Sequence, residues 1–251
     1  MKKFPGPPNR YYNAALKGVH DHDGTVIQLI GDAILAVWNA PVAQPDHRAR
    51  ACRAAVDLQQ QLLIFDEKHG GLPIRTRVGV HAGTATVGNL GSEIHFNYAT
   101  IGENVNLAAR LEGLNKHLRT NILATRDSQS AVEDQLLSRK VGWFKFKGFG
   151  EAVEVYELIG PIEEKLAEAT RDWRNAFDEA LTDFCRKRFS AARDKFQLAI
   201  KLRQDAERGS LADEETPPDD GPSKFYLARI EEFKKDPPPE GWKGVIEMKE
   251  K

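Results

Sequence analysis

The chain has 251 residues, of which 29% are charged and 41% hydrophobic, and 36 Lys and Arg against 37 Asp and Glu leave a net charge of −1. That balance is globular and excludes a wholly disordered or collagen-like chain. The near-neutral charge gives no electrostatic case for nucleic acid or an anionic membrane, and no apolar stretch approaches the ~20 residues of a spanning helix. The N-terminal run Met1-Lys2-Lys3-Phe4-Pro5-Gly6-Pro7-Pro8 has two lysines but no apolar core, so it does not read as a signal peptide. The two cysteines, Cys52 and Cys185, lie far apart. They fit neither a disulfide framework nor a zinc site, read as packing residues, and suit a reducing, cytoplasmic compartment.

Along the chain, residues 1–8 read as an irregular start and Tyr11–Val19 as a short helix. His20-Asp21-His22-Asp23-Gly24 reads as a solvent-facing turn rather than a metal cluster. Two short apolar runs, Thr25–Ile30 and Ala33–Trp38, flank Gly31-Asp32 and predict a β-hairpin. Ala51, Ala54, Ala55, Leu58, Leu62 and Phe65 recur at helical spacing over 46–68, and Gly70-Gly71 stops that helix. Arg75–Ala82 reads as a strand, Thr84–Val87 as another, and Gly88-Asn89-Leu90-Gly91-Ser92 as a loop. A helix is expected over Val105–Asn115, then strands at Ile122–Ala124, Val141–Phe146 and Ala152–Leu158. His81, in an apolar strand, reads as a satisfied core or interface histidine.

Gly160-Pro161 marks an expected boundary, with one domain over 1–159 and a helical region over 160–251. In the second part, Trp173, Ala176, Phe177, Ala180, Leu181 and Phe184 form one apolar stripe. Phe189, Ala192, Phe196, Ala199 and Ile200 form another, turning near Arg186-Lys187-Arg188. The pair resembles a single tetratricopeptide repeat. Gly209–Pro222 is acidic and Pro-rich and reads as a mobile linker, Phe225–Lys234 as a last helix that Pro237-Pro238-Pro239 ends.

Four segments carry the chemistry: Gly31-Asp32-Ala33-Ile34-Leu35-Ala36, Val78-Gly79-Val80-His81-Ala82-Gly83, Tyr98–Glu112, and Lys145-Phe146-Lys147-Gly148. Asp32 sits at a hairpin tip, where a carboxylate can reach a hard cation, though Asp after Gly is also an ordinary turn residue. Asn106 and Arg110 are four apart and share one helical face. The Arg fork suits phosphate oxygens, and its bland alternative is a solvated helix residue. Lys147 lies between a strand and a glycine turn, where an exposed lysine needs no special role.

In order and spacing these segments resemble the catalytic domain of class III nucleotidyl cyclases, the adenylate and guanylate cyclase family, over residues 9–158. The resemblance implies an α+β fold, a ferredoxin-like cyclase sheet with helices, followed here by the small all-α, tetratricopeptide-like region. It implies attack of a ribose 3′-hydroxyl on the α-phosphorus, with release of pyrophosphate and Mg²⁺ or Mn²⁺ as cofactor. Asp32 then holds metal, Asn106 and Arg110 are catalytic, and Gln28, Ala99 and Lys147 bind nucleotide. ATP, or GTP, is the implied partner, in a head-to-tail homodimer or in a heterodimer with a complete cyclase. The C-terminal helices are a further candidate surface for a protein partner.

The sequence departs from the family where its first strand should carry another metal-binding Asp in a motif like F-x-D-[IM]-x-G-F-T. Phe4-Pro5-Gly6-Pro7-Pro8 cannot replace that strand, because prolines lack the donors it requires. Gln28 stands where adenylate cyclases often carry Lys, and Ala99 where Asp or Thr often follows the Tyr; Glu103 replaces the usual Asp. Three readings stay open: a cyclase whose sequence is cut short at its N-terminus, where a membrane anchor would also have to lie; a pairing subunit without a complete site; and an interaction module working through the C-terminal helices. A lone metal carboxylate implies little or no activity of this chain by itself.

Overall fold

The computed structural model describes residues 8–69, 76–92, 95–208 and 219–248. The fold is α+β. Two compact units divide the chain, one of residues 1–112 with 121–134, the other of 113–120 with 135–251. Among the described residues no helix is long and apolar enough to cross a membrane.

The first unit opens on helix α1 (Pro8–Asp21), longer at both ends than the expected Tyr11–Val19. It packs on α2 (His47–His69) across Gly18, where an added Cβ would lie 2.9 Å from the Ala54 carbonyl and from the Leu58 nitrogen. The buried stripe of α2 is Ala49, Cys52, Ala54, Ala55, Leu58 and Leu62. The Phe65 side chain and the stop at Gly70-Gly71 lie outside the described residues. Burial pushes the Cys52 thiol up to about 12, and its Sγ donates to the Ser128 carbonyl at 3.5 Å. A thiol held protonated in the core is a packing group.

Between these helices run β1 (Thr25–Ile30) and β2 (Ala33–Val37), the expected antiparallel hairpin, with a register shift between Val26 and Gln28. Strand β3 is shorter than expected, Val78–Val80, because its parallel pairing with β6 (Ile122–Thr125) runs only from Val78↔Ile122 to Val80↔Ala124. Gly88–Ser92, expected as a loop, is strand: β4 (Thr86–Ser92) pairs along its whole length with β5 (His95–Ile101). The β-forming residues Tyr98 and Thr100 sit on the partner strand, so the glycine-rich half gave no signal of its own. Helix α3 (Glu103–Leu118) follows, and a single turn, α4 (Arg126–Gln129), comes after β6.

The second unit is built on β7 (Leu136–Phe146) and β8 (Val153–Pro161), which pair antiparallel from Leu136↔Pro161 to Phe144↔Val153. Gly160 and Pro161 therefore end a strand. Helices α5 (Glu164–Cys185) and α6 (Phe189–Arg208) form the expected hairpin, with Trp173, Phe177, Leu181, Phe184, Ala192, Phe196 and Ala199 buried. These stripes are covered by α7 (Gly221–Lys235): Tyr226 stacks on Phe196 at 5.2 Å and meets Phe184 edge-on at 4.7 Å. Gly221 and Pro222, expected in a linker, open α7; a helix tolerates Pro in its first turn, and Asp220 caps the end by accepting from the Ser223 nitrogen at 3.1 Å. The rest of that linker, 209–218, lies outside the described residues.

Arg139 on β7 donates to Glu157 on β8 and to Asp220, each at 2.6 Å, and Arg203 on α6 reaches Asp220 at 3.0 Å. Burial opposes the charge of Asp220 most, but Arg139, Ser223 and Arg203 together outweigh it and hold the carboxyl down to about 2. A last strand that the sequence did not suggest, β9 (Val245–Met248), pairs parallel to the end of β7.

Candidate functional site

The hairpin tip is built for a tight reversal. Ile30 pairs with Ala33, leaving Gly31 and Asp32 as the turn, and Gly31 takes a φ of 62°, the left-handed region that suits glycine. The Tyr12 hydroxyl on α1 donates to the Gly31 carbonyl and fixes the tip from behind. Asp32 is exposed. Gln28, exposed on β1, follows the bulge, a feature that re-aims a side chain. Ala99 is half-buried on β5 opposite Gly88, and β1 lies in contact with β5. The structure thus brings together the strands of two nucleotide-binding candidates, Gln28 and Ala99. Beside them Leu29, Ile30 and Ile101 are 47%, 57% and 57% exposed.

Helix α3 sits directly on β3. A Cβ on Gly79 would lie 2.2 Å from the Ala108 carbonyl oxygen and 2.5 Å from the Glu112 nitrogen. A Cβ on Gly83 would lie 2.4 Å from Asn104 Cγ. Both glycines of Val78-Gly79-Val80-His81-Ala82-Gly83 therefore make room for α3. His81 adds the polar clamp, with Nδ1 2.9 Å from Thr125 Oγ1 and Nε2 3.0 Å from Asn104 Oδ1. Because Asn104 Nδ2 donates to the Thr84 carbonyl at 2.8 Å, its Oδ1 is the acceptor and His81 Nε2 carries the proton. His81 is thus the satisfied histidine expected from sequence, and it fixes the start of α3.

Asn106 and Arg110 stand on that helix one turn apart, the first exposed and the second half-buried. Because α3 starts at Glu103, Asn106 falls in its first turn. Arg77 Nε donates to Glu112 at 2.7 Å further along, an exposed pair of small energetic weight. The clamp residues Gly79, Gly83 and Asn104 were missed from sequence. Their only signal is small residues alternating with apolar ones on a strand followed by an Asn at a helix start.

Lys147 belongs to the second unit, the other candidates to the first. It follows β7, is exposed, and precedes Gly148 at a φ of 92°. The turn is closed by Phe149 N donating to the Phe146 carbonyl at 3.0 Å, with the two rings edge-on at 6.4 Å.

Among the described residues no group of three or more His, Cys, Asp or Glu could hold a metal ion. The residues His20–Asp23 look elsewhere: Asp21 pairs with Lys17, half-buried His22 meets Asp57 at 2.5 Å, and Asp23 pairs with Arg50. Asp32 is a single carboxylate at an exposed tip. A hard cation needs about six oxygen ligands, so the described residues of this chain do not by themselves fit Mg²⁺ or Mn²⁺.

The sequence model of the family described as the adenylate and guanylate cyclase catalytic domain matches residues 9–160. Adenylate cyclase 1 of Rhizobium meliloti is 40% identical over 157 residues, 61% of this chain and 24% of that protein, so the chain spans about a quarter of that relative. Among solved structures, the guanylyl cyclase Cya2 is 28% identical with a TM-score of 0.54, covering 62% of this chain and 80% of that one. The adenylyl cyclase CyaB from P. aeruginosa is 26% identical with a TM-score of 0.52, covering 60% and 79%.

Proposed function

Since the chain belongs to the adenylate and guanylate cyclase catalytic-domain family, we propose that it supplies the donor side of a nucleotidyl cyclase site. That site converts a nucleoside triphosphate, ATP before GTP, into the 3′,5′-cyclic nucleotide with release of pyrophosphate. The observation that carries this reading is α3: Asn106 and Arg110 share one face of a helix that Gly79, Gly83 and His81 hold against β3. A guanidinium carried on such a helix suits the charge that builds on the α-phosphoryl oxygens. Asn106, with a donor and an acceptor, suits the ribose and keeps its 3′-hydroxyl aligned with the phosphorus. Lys147 takes the terminal phosphates. The preference for ATP rests on the adenylate cyclase relatives; the Gln28 amide itself suits either purine.

A second reading has a specific observation in its favour, the single carboxylate at the hairpin tip. In it the chain works as a partner to a homologue that brings the metal-holding carboxylates, in a heterodimer. Any divalent cation then belongs to a donor set completed from outside the described residues, and the roles above pass unchanged to the shared site. Production of cyclic AMP or cyclic GMP by the purified chain, alone and mixed with a homologous cyclase whose own Asn and Arg at the matching positions are replaced, separates the two readings. Product from the chain alone supports the first, product only in the mixture the second, and no product in either case contradicts both.

A further inference from the structure

The end of β7 has an unusual support. The pairing of β7 with β8 ends at Phe144↔Val153, two residues before Phe146. Pairing with β9 continues past that point, through Lys145↔Glu247 and Phe146↔Met248. The ladder that fixes the backbone immediately before Lys147 thus comes from the far C-terminal strand and not from the hairpin partner.

Strand β9 is itself firmly held. Ile246 and Met248 are buried at 3% and 8% exposure. Trp242 Nε1 donates to the Val245 carbonyl at 2.8 Å, and its ring meets Phe184 of α5 and Phe233 of α7 edge-on, each at 5.3 Å. Gly244, with a φ of 88°, passes so close to α5 that a Cβ there would lie 2.4 Å from Cys185 Sγ. Lys187 Nζ, in the α5–α6 turn, donates to the Pro239 carbonyl at 2.7 Å. One continuous set of contacts runs from the helices through β9 to the residue before Lys147.

We propose that β9 is a positioning strand for Lys147, holding it to receive the terminal phosphates of a nucleoside triphosphate. The proposal rests on the cyclase reading for its ligand and goes beyond it in assigning the C-terminal helices and strand a part in phosphate binding. An unsupported strand end would leave Lys147 on a fraying terminus, and a lysine loses affinity when its backbone is free to wander.

The test uses the full chain with Ile246→Gly, Met248→Ala and the conservative Ile246→Val, each also in a Lys147→Ala background. Two quantities are read: amide exchange at residues 145–148 and affinity for a fluorescent methylanthraniloyl ATP. Ile246→Gly and Met248→Ala are expected to speed exchange about tenfold and to weaken the nucleotide about five- to tenfold, with Ile246→Val close to wild type. In the Lys147→Ala background the same changes should leave affinity within about twofold, because two groups acting as one unit are not additive. Unchanged affinity despite faster exchange, or an equal loss without Lys147, would overturn the proposal. Should Ile246→Gly fail to fold, Met248→Ala at the strand end reads the same two quantities. A wild-type chain that binds no nucleotide, either alone or mixed with the homologous cyclase, contradicts the cyclase reading and takes this proposal with it. A wild type that binds beside unaffected β9 variants contradicts this proposal alone.

Discussion

The imidazole of His81 and the carboxamide of Asn104 meet at 3.0 Å, joining the strand-end motif to the first turn of the helix that carries Asn106 and Arg110. The other ring nitrogen is engaged by Thr125 at 2.9 Å, so the ring is held from both sides. His81→Ala leaves Asn104 Oδ1 and the Thr125 hydroxyl without partners, which costs roughly 1–3 kcal/mol for groups partly removed from water. Urea denaturation should show that loss. A variant as stable as wild type would mean that the clamp does not hold α3.

Arg110 is expected to act on developing charge rather than on ground-state binding. In a cyclase mixture dependent on this chain, Arg110→Ala should lower kcat about 10²–10³-fold while KM moves little. Arg110→Lys should recover only part, because a point charge cannot reproduce the planar fork. Steady-state kinetics at saturating nucleotide check this, and an unchanged kcat returns Arg110 to the role of a surface helix residue.

The buried ion network of the second unit has a pH signature. Asp220 is held down to about 2 against an ordinary value near 3.8. A depressed carboxylate stabilises above its unfolded pKa and loses that contribution as pH falls through the folded one. The window is therefore about pH 4 to pH 2, and the contribution is roughly 2 kcal/mol. Asp220→Asn removes a charge facing buried Arg139 and should cost roughly 3–5 kcal/mol at neutral pH. The gap between wild type and variant, read by thermal unfolding, should narrow below pH 4. A gap independent of pH contradicts this account.

The parts legible in the sequence are those whose signal is local. The hairpin around Gly31-Asp32, the stripe from Trp173 to Phe184 and the shared face of Asn106 and Arg110 each follow from spacing within one element. The parts that were not legible depend on partners far away in the chain. Gly88–Ser92 is strand because residues 95–99 pair with it. Gly221 and Pro222 are helical because Asp220 caps them. A Cβ on Gly142 would meet Tyr226 Oη at 2.0 Å, a close approach no local pattern reveals. Strand β9 has four residues after a proline run, too few for a periodic signal, and its partner lies about a hundred residues earlier.

The central claim is that this chain presents a working donor set on α3. Its most direct test mixes the chain with a homologous cyclase whose own Asn and Arg at the positions matching Asn106 and Arg110 are replaced, and measures cyclic nucleotide formed. Neither protein alone should make appreciable product; the mixture should, and Arg110→Ala in this chain should abolish the gain. A heterodimer demonstrated by light scattering that yields no product would contradict the claim.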